Sequence, residues 1–545
     1  MALVNKDLLA KTPKEVLSFK IVWYCFILSF SGGLHGFNTS NVSGVLAMVP
    51  FKTYFGFNTK SKAEVTNLNG WITSSLLLGS CVGALMCAPV TDRLGRKMSL
   101  AIFSLIFSLS AILMSANPRG SSGVAIFIAG RVISGLGSGA ASVIGTGYIA
   151  EIAPKSIRGG LAAMYNANTM LGVALGYWIN FGSIEHIPRT KNAQWQVPMG
   201  VQALPGILLV AGLLLIPESP RWLVARNRIE EAQLSLTRLR SLPIDHEFVR
   251  DEFNEIQDTA TAEAELNAGR SWAITREIWT PTIRKRLILV MAIQVFFQFS
   301  GGNIITYYNT SILTSIGLKS QQANYLFSGI YGLVKFLTVC LYSGFLIDRF
   351  GRRPMLFTGS AMLIGCLTYL AAYLALANPA AHASNSPAAS GWVAVVAIYI
   401  FAIGYAFSWA TIPWIINAEV FPTKIRATCM SICITWQYLI NFALTRAQPN
   451  MVVTIHPWGP FALFACVTAV ATVYCYFCLP ETKGLSMEHM DQLFDVPWYR
   501  VGIASLQIIK DNQNGVAPSQ RGPLKFADEE SLEKNSKCVY DEVKK

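Results

Sequence analysis

The chain has 545 residues, of which 52% are hydrophobic and 14% are charged. Soluble proteins carry about a quarter charged residues, so this composition excludes an ordinary soluble domain and indicates an integral membrane protein. The net charge of +13 does not indicate nucleic-acid binding, because the lysines and arginines cluster in short segments between apolar runs. The eleven cysteines show no metal-ligand spacing, and we expect neither a metal site nor a cofactor.

Twelve apolar runs, each long enough to cross a bilayer as a helix, follow one another along the chain. The first six lie near residues 21–46, 69–90, 98–116, 122–149, 160–183 and 198–217. The second six lie near 286–314, 322–347, 354–377, 391–416, 427–447 and 458–479. The sequence therefore predicts an all-α, polytopic membrane protein with twelve transmembrane helices.

The polar segments between the runs predict the topology. Segments on one side are rich in arginine and lysine, whereas the stretch 378–390 on the other side has none. The positive-inside rule then predicts that both termini are cytoplasmic. The expected regions are a cytoplasmic N terminus at 1–20, a six-helix bundle at 21–223, a cytoplasmic helical linker at 224–285, a second bundle at 286–480 and a cytoplasmic, largely disordered tail at 481–545.

Three motifs occur twice, in the same order and at nearly the same separation. Asp-Arg-Leu-Gly-Arg-Lys begins at Asp92, and Asp-Arg-Phe-Gly-Arg-Arg begins at Asp348. A Glu-x-x-Pro-x-x-x-Arg motif begins at Glu151 and again at Glu419. Pro-Glu-Ser ends the first half, and Pro-Glu-Thr ends the second. The recurrence of the motifs in the same order indicates a duplicated six-helix unit. Membrane transporters that are built from two repeats bind their solute between the repeats.

With these motifs in place, the chain resembles the sugar porter family of the major facilitator superfamily over roughly residues 20–490. The resemblance implies two pseudo-symmetric six-helix bundles that carry a solute by alternating access. It also implies that charged residues at the helix ends form ion-pair networks that close the cytoplasmic mouth. The positions that match are Asp92, Arg93, Arg96, Glu151, Arg158, Glu218, Asp348, Arg349, Arg352, Arg353, Glu419, Arg426 and Glu481. The alternative is that these charges serve ordinary membrane topology.

The seventh run contains the best candidates for solute binding. Polar residues inside membrane spans are costly unless they serve a function, and amides offer donors and acceptors that match ring hydroxyls. In the family this stretch reads Gln-Gln-x-Ser-Gly-x-Asn; here Gln298 and Asn303 match, but Phe297 replaces the first Gln. Further candidates implied by position are Tyr307, Trp414, Asn166, Gln437 and Asn441. For each of them, hydrogen bonding between helices is the alternative role.

The resemblance also bears on ion coupling. Proton-coupled members usually carry an Asp in the first span that faces an Arg in the fourth. Here Asn38 replaces the Asp, while Arg131 is present. Because Asn38 does not titrate, we expect facilitated transport; His35 is the nearby side chain whose ordinary pKa lies near neutral pH.

Lys335 lies near the middle of the eighth run, and no carboxylate lies deep in any run. A buried lysine is costly without a partner, so an anionic solute is one explanation. The pattern around Lys335 resembles a fungal branch of quinate and uronate carriers that also holds neutral-sugar carriers.

We therefore predict a plasma-membrane transporter of a monosaccharide or related polyhydroxyl solute that functions as a monomer in the lipid bilayer. The alternative is a carrier of a hydroxy acid such as quinate or a uronate, with Lys335 or Arg131 as the partner of the anion. A nutrient sensor of the same fold is a minor alternative, because the tail from Glu481 is short. No nucleophile–base set or phosphate-binding loop indicates an enzyme.

Overall fold

The computed structural model describes residues 12–267, 278–318, 320–342, 351–377, 389–422, 425–482, 493–494 and 496–513. Its first half contains six long helices. They are α1 (Phe19–Ala47), α2 (Lys62–Leu94), α3 (Arg96–Ser115), α4 (Ser121–Ile152), α5 (Arg158–His186) and α6, in two segments (Ala193–Val201 and Leu204–Leu213). A short helix, Val49–Tyr54, follows α1.

The second half repeats this arrangement. It contains α7 in three segments (Pro281–Phe299, Gly302–Tyr307 and Asn309–Ile316), α8 (Gln321–Leu341), α9 (Arg352–Ala377), α10 in two segments (Ala389–Phe407 and Ile412–Glu419), α11 (Arg426–Thr454) and α12 (Gly459–Cys478). The breaks in α7 and α10 have local causes: Gly301 adopts a φ of 83°, and Pro413 is the second residue of the second segment of α10, where its missing N–H is tolerated.

The predicted all-α fold with twelve helices is confirmed. Ten helices of the described chain are long and apolar enough to cross a membrane. The other two, α5 and α11, have 29 residues each but carry more polar side chains. Their position explains this polarity, since α5 packs against α8 and α11 packs against α2, at the junction of the two halves. On the outside of the bundle, α3 exposes Leu105, Leu109 and Leu113, which suits a surface facing lipid.

Within the first half the helices pack backbone to backbone. The most extensive contact joins α1 to α5. A Cβ atom on Gly36 would lie 1.9 Å from the carbonyl oxygen of Thr169, so only glycine fits there. Small residues allow such close approach of membrane helices, and they join α1 and α5 into one rigid unit.

Three further helices follow α6: Pro220–Ala225, Ile229–Arg240 and Glu247–Asn267. Arg240 attaches them to the first half, because its Nη1 donates to the carbonyl oxygen of Ile152 at 2.7 Å while its Nη2 pairs with Glu252 at 2.6 Å. The predicted tail also contains a helix, Val501–Gln513, which packs against α12. The sequence analysis did not identify this helix, and residues 514–545 lie outside the described part of the chain.

Twelve spans place both ends of the described chain on one side of the membrane, here called the terminal side; the other is the far side. Hydrogen bonds join the two halves at the far side. The Tyr325 hydroxyl donates to the carbonyl oxygen of Gly44 at 2.6 Å, and the Thr310 hydroxyl donates to that of Ser43 at 2.8 Å. The structure is therefore closed at the far side.

Candidate functional site

The break in α7 presents two of the predicted amides at the junction of the halves. Asn303 Nδ2 donates to Gln298 Oε1 at 2.8 Å, and the Tyr405 hydroxyl of α10 donates to Asn303 Oδ1 at 3.1 Å. Gln298 is 1% exposed, and its Nε2 has no hydrogen-bond partner in the described part of the chain. A buried, unpaired donor is costly, and a solute hydroxyl would satisfy it. This part of the chain is called the central site below.

Lys335 of α8 lies beside the central site and is 2% exposed. Its Nζ donates to Thr306 Oγ1 at 3.0 Å and lies 5.0 Å and 5.5 Å from the ring centroids of Tyr405 and Tyr331. Among the described residues the ammonium group thus has one hydrogen-bond acceptor and two aromatic rings. Cation–π contacts offset part of the free-energy cost of burying the ammonium group. The ammonium group can still bind an anionic partner.

Arg131 of α4 is held differently. Its Nε donates to the carbonyl oxygen of Ile72 at 3.1 Å, its Nη2 to that of Thr73 at 3.5 Å, and its Nη1 to Asn38 Oδ1. Asn38 Nδ2 in turn donates to Ser134 Oγ at 3.1 Å. The structure therefore brings Asn38 and Arg131 together, and the guanidinium joins α1, α2 and α4 through oxygen atoms of the protein.

Other predicted residues lie around these groups. Tyr307 lies beside Thr39 of the first half and Asn441 of α11. Asn441 Oδ1 accepts a hydrogen bond from Thr445 at 3.1 Å. Gln437 is 4% exposed, with its Oε1 unpaired.

Three further candidates are only partly buried: Trp414, Asn166 and His35. Trp414 packs against an apolar cluster to which both halves contribute. The ring of His35 meets that of Tyr438 edge-on, with the centroids 5.8 Å apart. Asn168, two residues after Asn166, is buried and donates to Ser29 Oγ at 2.9 Å, so this neighbour serves the packing of α1 on α5.

The sequence analysis missed several residues of the region. Thr306, Tyr331 and Tyr405 surround Lys335. Gln294 and Asn417 are fully buried amides whose polar atoms have no hydrogen-bond partner among the residues that the structure describes. A helical period could have indicated Gln294, which lies four residues before Gln298 on the same face of α7. Nothing in the sequence marks which tyrosines face Lys335, because that depends on packing between helices.

The charged residues of the first repeat lie together at the terminal side. Gly95 adopts a φ of 88°, which turns the chain into α3, and Glu218 accepts hydrogen bonds from the N–H groups of Arg96 and Lys97 at 3.1 Å each. Arg96 also pairs with Glu151 at 3.1 Å. Burial is the main reason that the pKa of the Glu218 carboxyl is raised.

The second repeat has the same geometry. Gly351 adopts a φ of 86°, and Glu481 accepts hydrogen bonds from the N–H groups of Arg352 and Arg353 at 3.0 Å each. Arg352 pairs with Glu419 at 2.8 Å. Each of these contacts joins elements of one half.

The remaining charged candidates are less tightly placed. Asp92 lies 3.8 Å from Arg96 and is largely exposed, as is Arg93. Arg158 lines a small cleft with Glu252 and Glu255 of the linker helices. Asp348, Arg349 and the side chain of Arg426 lie outside the described residues.

Known proteins share this architecture. The model of a family described as sugar (and other) transporter matches residues 24–494. Proteins named probable quinate permease from Neosartorya fischeri and Aspergillus fumigatus are each 34% identical to the chain, over 89% and 92% of both sequences respectively. A similar protein from Aspergillus niger is 32% identical over 92% of this chain and 93% of its own.

Solved structures of the Escherichia coli xylose transporter XylE show the same fold. Its partially occluded inward open conformation gives a TM-score of 0.72 at 23% identity and covers 86% of this chain and 100% of that one. The proton:xylose symporter bound to 6-bromo-6-deoxy-D-glucose gives 0.72 at 24% identity, covering 87% and 99%. The twelve-helix architecture is thus the major facilitator fold, and the chain belongs to the sugar (and other) transporter family.

Proposed function

We propose that this transporter carries a polyhydroxylated carboxylate of the quinate class. The observation that carries the proposal is the buried ammonium group of Lys335. Among the described residues its one hydrogen-bond acceptor is Thr306, and it lies over the ring of Tyr405, whose hydroxyl donates to Asn303. A buried charge without a counter-ion is strongly unfavourable. A solute carboxylate would supply that counter-ion, and ring hydroxyls would pair with the amides. The names of the relatives support the same class of solute.

Between the two candidate cations, the geometry favours Lys335 as the anion partner. Arg131 already donates to the carbonyl oxygens of Ile72 and Thr73 and to Asn38, so an incoming carboxylate would have to displace hydrogen bonds within the first half. Lys335 can turn a free N–H toward a solute without losing its bond to Thr306, because an ammonium group has three donors. We assign Arg131 to the structural joining of three helices.

A neutral monosaccharide is the second candidate. The pair formed by Gln298 and Asn303 can bind hydroxyl groups with no help from a charge. For either solute we propose alternating access, in which the two bundles rock around the central site. The contacts of Ser43 and Gly44 with the second half close the far side. We propose that the two charge networks, each of which here joins elements of one half, come together to close the terminal side in the opposite state.

The membrane, orientation and oligomeric state of the carrier are part of the same proposal. We place it in the plasma membrane as a monomer, with the terminal side, the linker and the tail in the cytoplasm, because the cationic loops lie on that side. With Asn38 at the usual coupling position, we propose facilitated transport without a titrating carboxylate.

Uptake by proteoliposomes tests the solute class. We expect wild-type carrier to take up labelled quinate, and Lys335→Met to lose about 30-fold or more in kcat/KM for it, since truncating one member of a buried charge pair costs about 2–5 kcal/mol. Uptake of any neutral sugar that the wild type carries should change much less. Lys62→Met, at the exposed start of α2, is the control. Quinate uptake that survives in Lys335→Met would refute the assignment.

A further inference from the structure

Three amide side chains in the described part of the chain are buried with both polar atoms unpaired. They are Gln294, Asn309 and Asn417, each 0% exposed, and all lie on α7 or α10 of the second half. Gln298 of the central site, by comparison, retains one hydrogen bond. Buried polar groups are almost always paired in folded proteins, so each exception requires an explanation, such as a ligand that arrives later.

Gln294 and Asn417 both lie nearer to the terminal side than Gln298 of the central site. Gln294 precedes Gln298 by four residues on one face of α7, about 6 Å along the helix axis. Asn417 follows Trp414 by three residues on one face of α10. Since α7 begins and α10 ends at the terminal side, Gln294 lies about one turn nearer to that side than Gln298 of the central site, and Asn417 lies about one turn nearer to it than Trp414.

The two helices also meet at this end. Arg286 Nη1 of α7 donates to the carbonyl oxygen of Val420, directly after α10, at 3.0 Å. Counted from that contact at 1.5 Å per residue, Gln294 lies about 12 Å and Asn417 about 5 Å further into the membrane. The two amides are thus about 7 Å apart along the axis, a gap that one solute ring can span.

We propose that Gln294 and Asn417 form a second binding position for a hydroxylated solute, between the central site and the terminal side. Each amide contributes an NH₂ donor and a carbonyl acceptor, which suits ring hydroxyls that act as both. The solute would occupy this position after leaving the central site toward the terminal side, or before entering it from there. The inference rests on the proposed function only in requiring a hydroxylated solute, and it does not depend on Lys335.

Transport measured from each side separately tests this position. In proteoliposomes with uniformly oriented carrier, we would compare the wild type with Gln294→Leu and Asn417→Leu, using labelled quinate or glucose, whichever the wild type carries. The loss of one or two hydrogen bonds predicts that KM for solute presented at the terminal side rises about five- to tenfold. KM for solute presented at the far side should change less than about twofold.

Two comparisons complete the experiment. Gln298→Leu should raise KM from both sides, because it removes a contact of the central site. Leucine fills the space of either amide without unpaired atoms, so the Tm of the solute-free variants should not fall. If a leucine variant fails to fold, Gln294→Asn or Asn417→Gln, which retains an amide, is measured in its place. The KM of these variants for solute presented at the terminal side should be lower than that of Gln298→Leu.

The proposal would be overturned if KM rose equally from both sides in the two leucine variants, since the amides would then belong to the central site. Unchanged KM from both sides would also overturn it and would make the unpaired amides a feature of packing alone. A wild-type carrier that transports neither quinate nor glucose contradicts the proposed function instead, and this is evident before any variant is measured.

Discussion

Lys335 and Arg131 are both buried cations, but their hydrogen bonding differs. Arg131 donates to oxygen atoms of α1 and α2, whereas Lys335 has Thr306 as its one acceptor among the described residues. The sequence identified both cations because each is a charge inside an apolar run. It could not distinguish their roles, because the carbonyl oxygens of Ile72 and Thr73 come into reach of Arg131 only when α2 packs against α4.

This difference predicts opposite effects on stability. Arg131→Met removes the hydrogen bonds to Ile72 and Thr73, takes the Arg131 donor away from Asn38 Oδ1, and should lower stability by about 1–3 kcal/mol. Lys335→Met removes a buried charge with few partners and should leave the Tm unchanged or raise it. Thermal unfolding of the two solute-free variants in the same detergent measures both effects. Equal destabilisation by the two substitutions would contradict this account.

Glu218 predicts a pH dependence at the terminal side. Burial, the largest effect, raises the pKa of its carboxyl above the ordinary value for glutamate. The folded carrier therefore binds this proton more readily than the unfolded chain, and the Glu218 contribution to stability falls as the pH rises between the ordinary and the raised pKa. We expect the Tm of the wild type, relative to Glu218→Gln, to increase as the pH falls from about 7 to about 5. A difference in Tm between the wild type and Glu218→Gln that does not change with pH would contradict this prediction.

At the level of helices, length and apolar composition were sufficient to predict all twelve spans. The break in α7 falls at Gly301, whose positive φ favours glycine. The helix Val501–Gln513 was missed because its stability comes from contact with α12 and from Arg353, which donates to the carbonyl oxygen of Gly502. A surface helix of this kind has little signal in its own sequence.

The contacts between helices at the far side predict a shift between conformations. Tyr325→Phe and Thr310→Val each remove a hydrogen bond that joins the halves, worth about 1 kcal/mol or about fivefold in the ratio of closed to open states. Spin labels at Lys62 and Ser320 should report a larger population with the far side open. Tyr369→Phe is the matched control, because that hydroxyl bonds to Ser390 within one half. A distance distribution like that of the wild type in both variants would exclude this role.

At the level of the whole molecule, the duplicated motifs were the most informative part of the sequence, because they predicted that the two halves are equivalent. Glu218 and Glu481 lie 263 residues apart in the numbering, yet each accepts hydrogen bonds from the start of an equivalent helix after a glycine with positive φ. The sequence could predict this symmetry because the motifs recur in order. It could not predict which side is closed, because the same residues serve both states of an alternating carrier.

The close contact of Gly36 with Thr169 has a consequence for how such carriers diversify. Any side chain at position 36 would separate α1 from α5, so the first half tolerates little change along this seam. The second half instead contains unpaired amides such as Gln294 and Asn417, where a substitution need not break an existing bond. Gene duplicates that acquire new solutes would therefore be expected to conserve the α1–α5 seam and to accumulate their adaptive substitutions on α7 and α10.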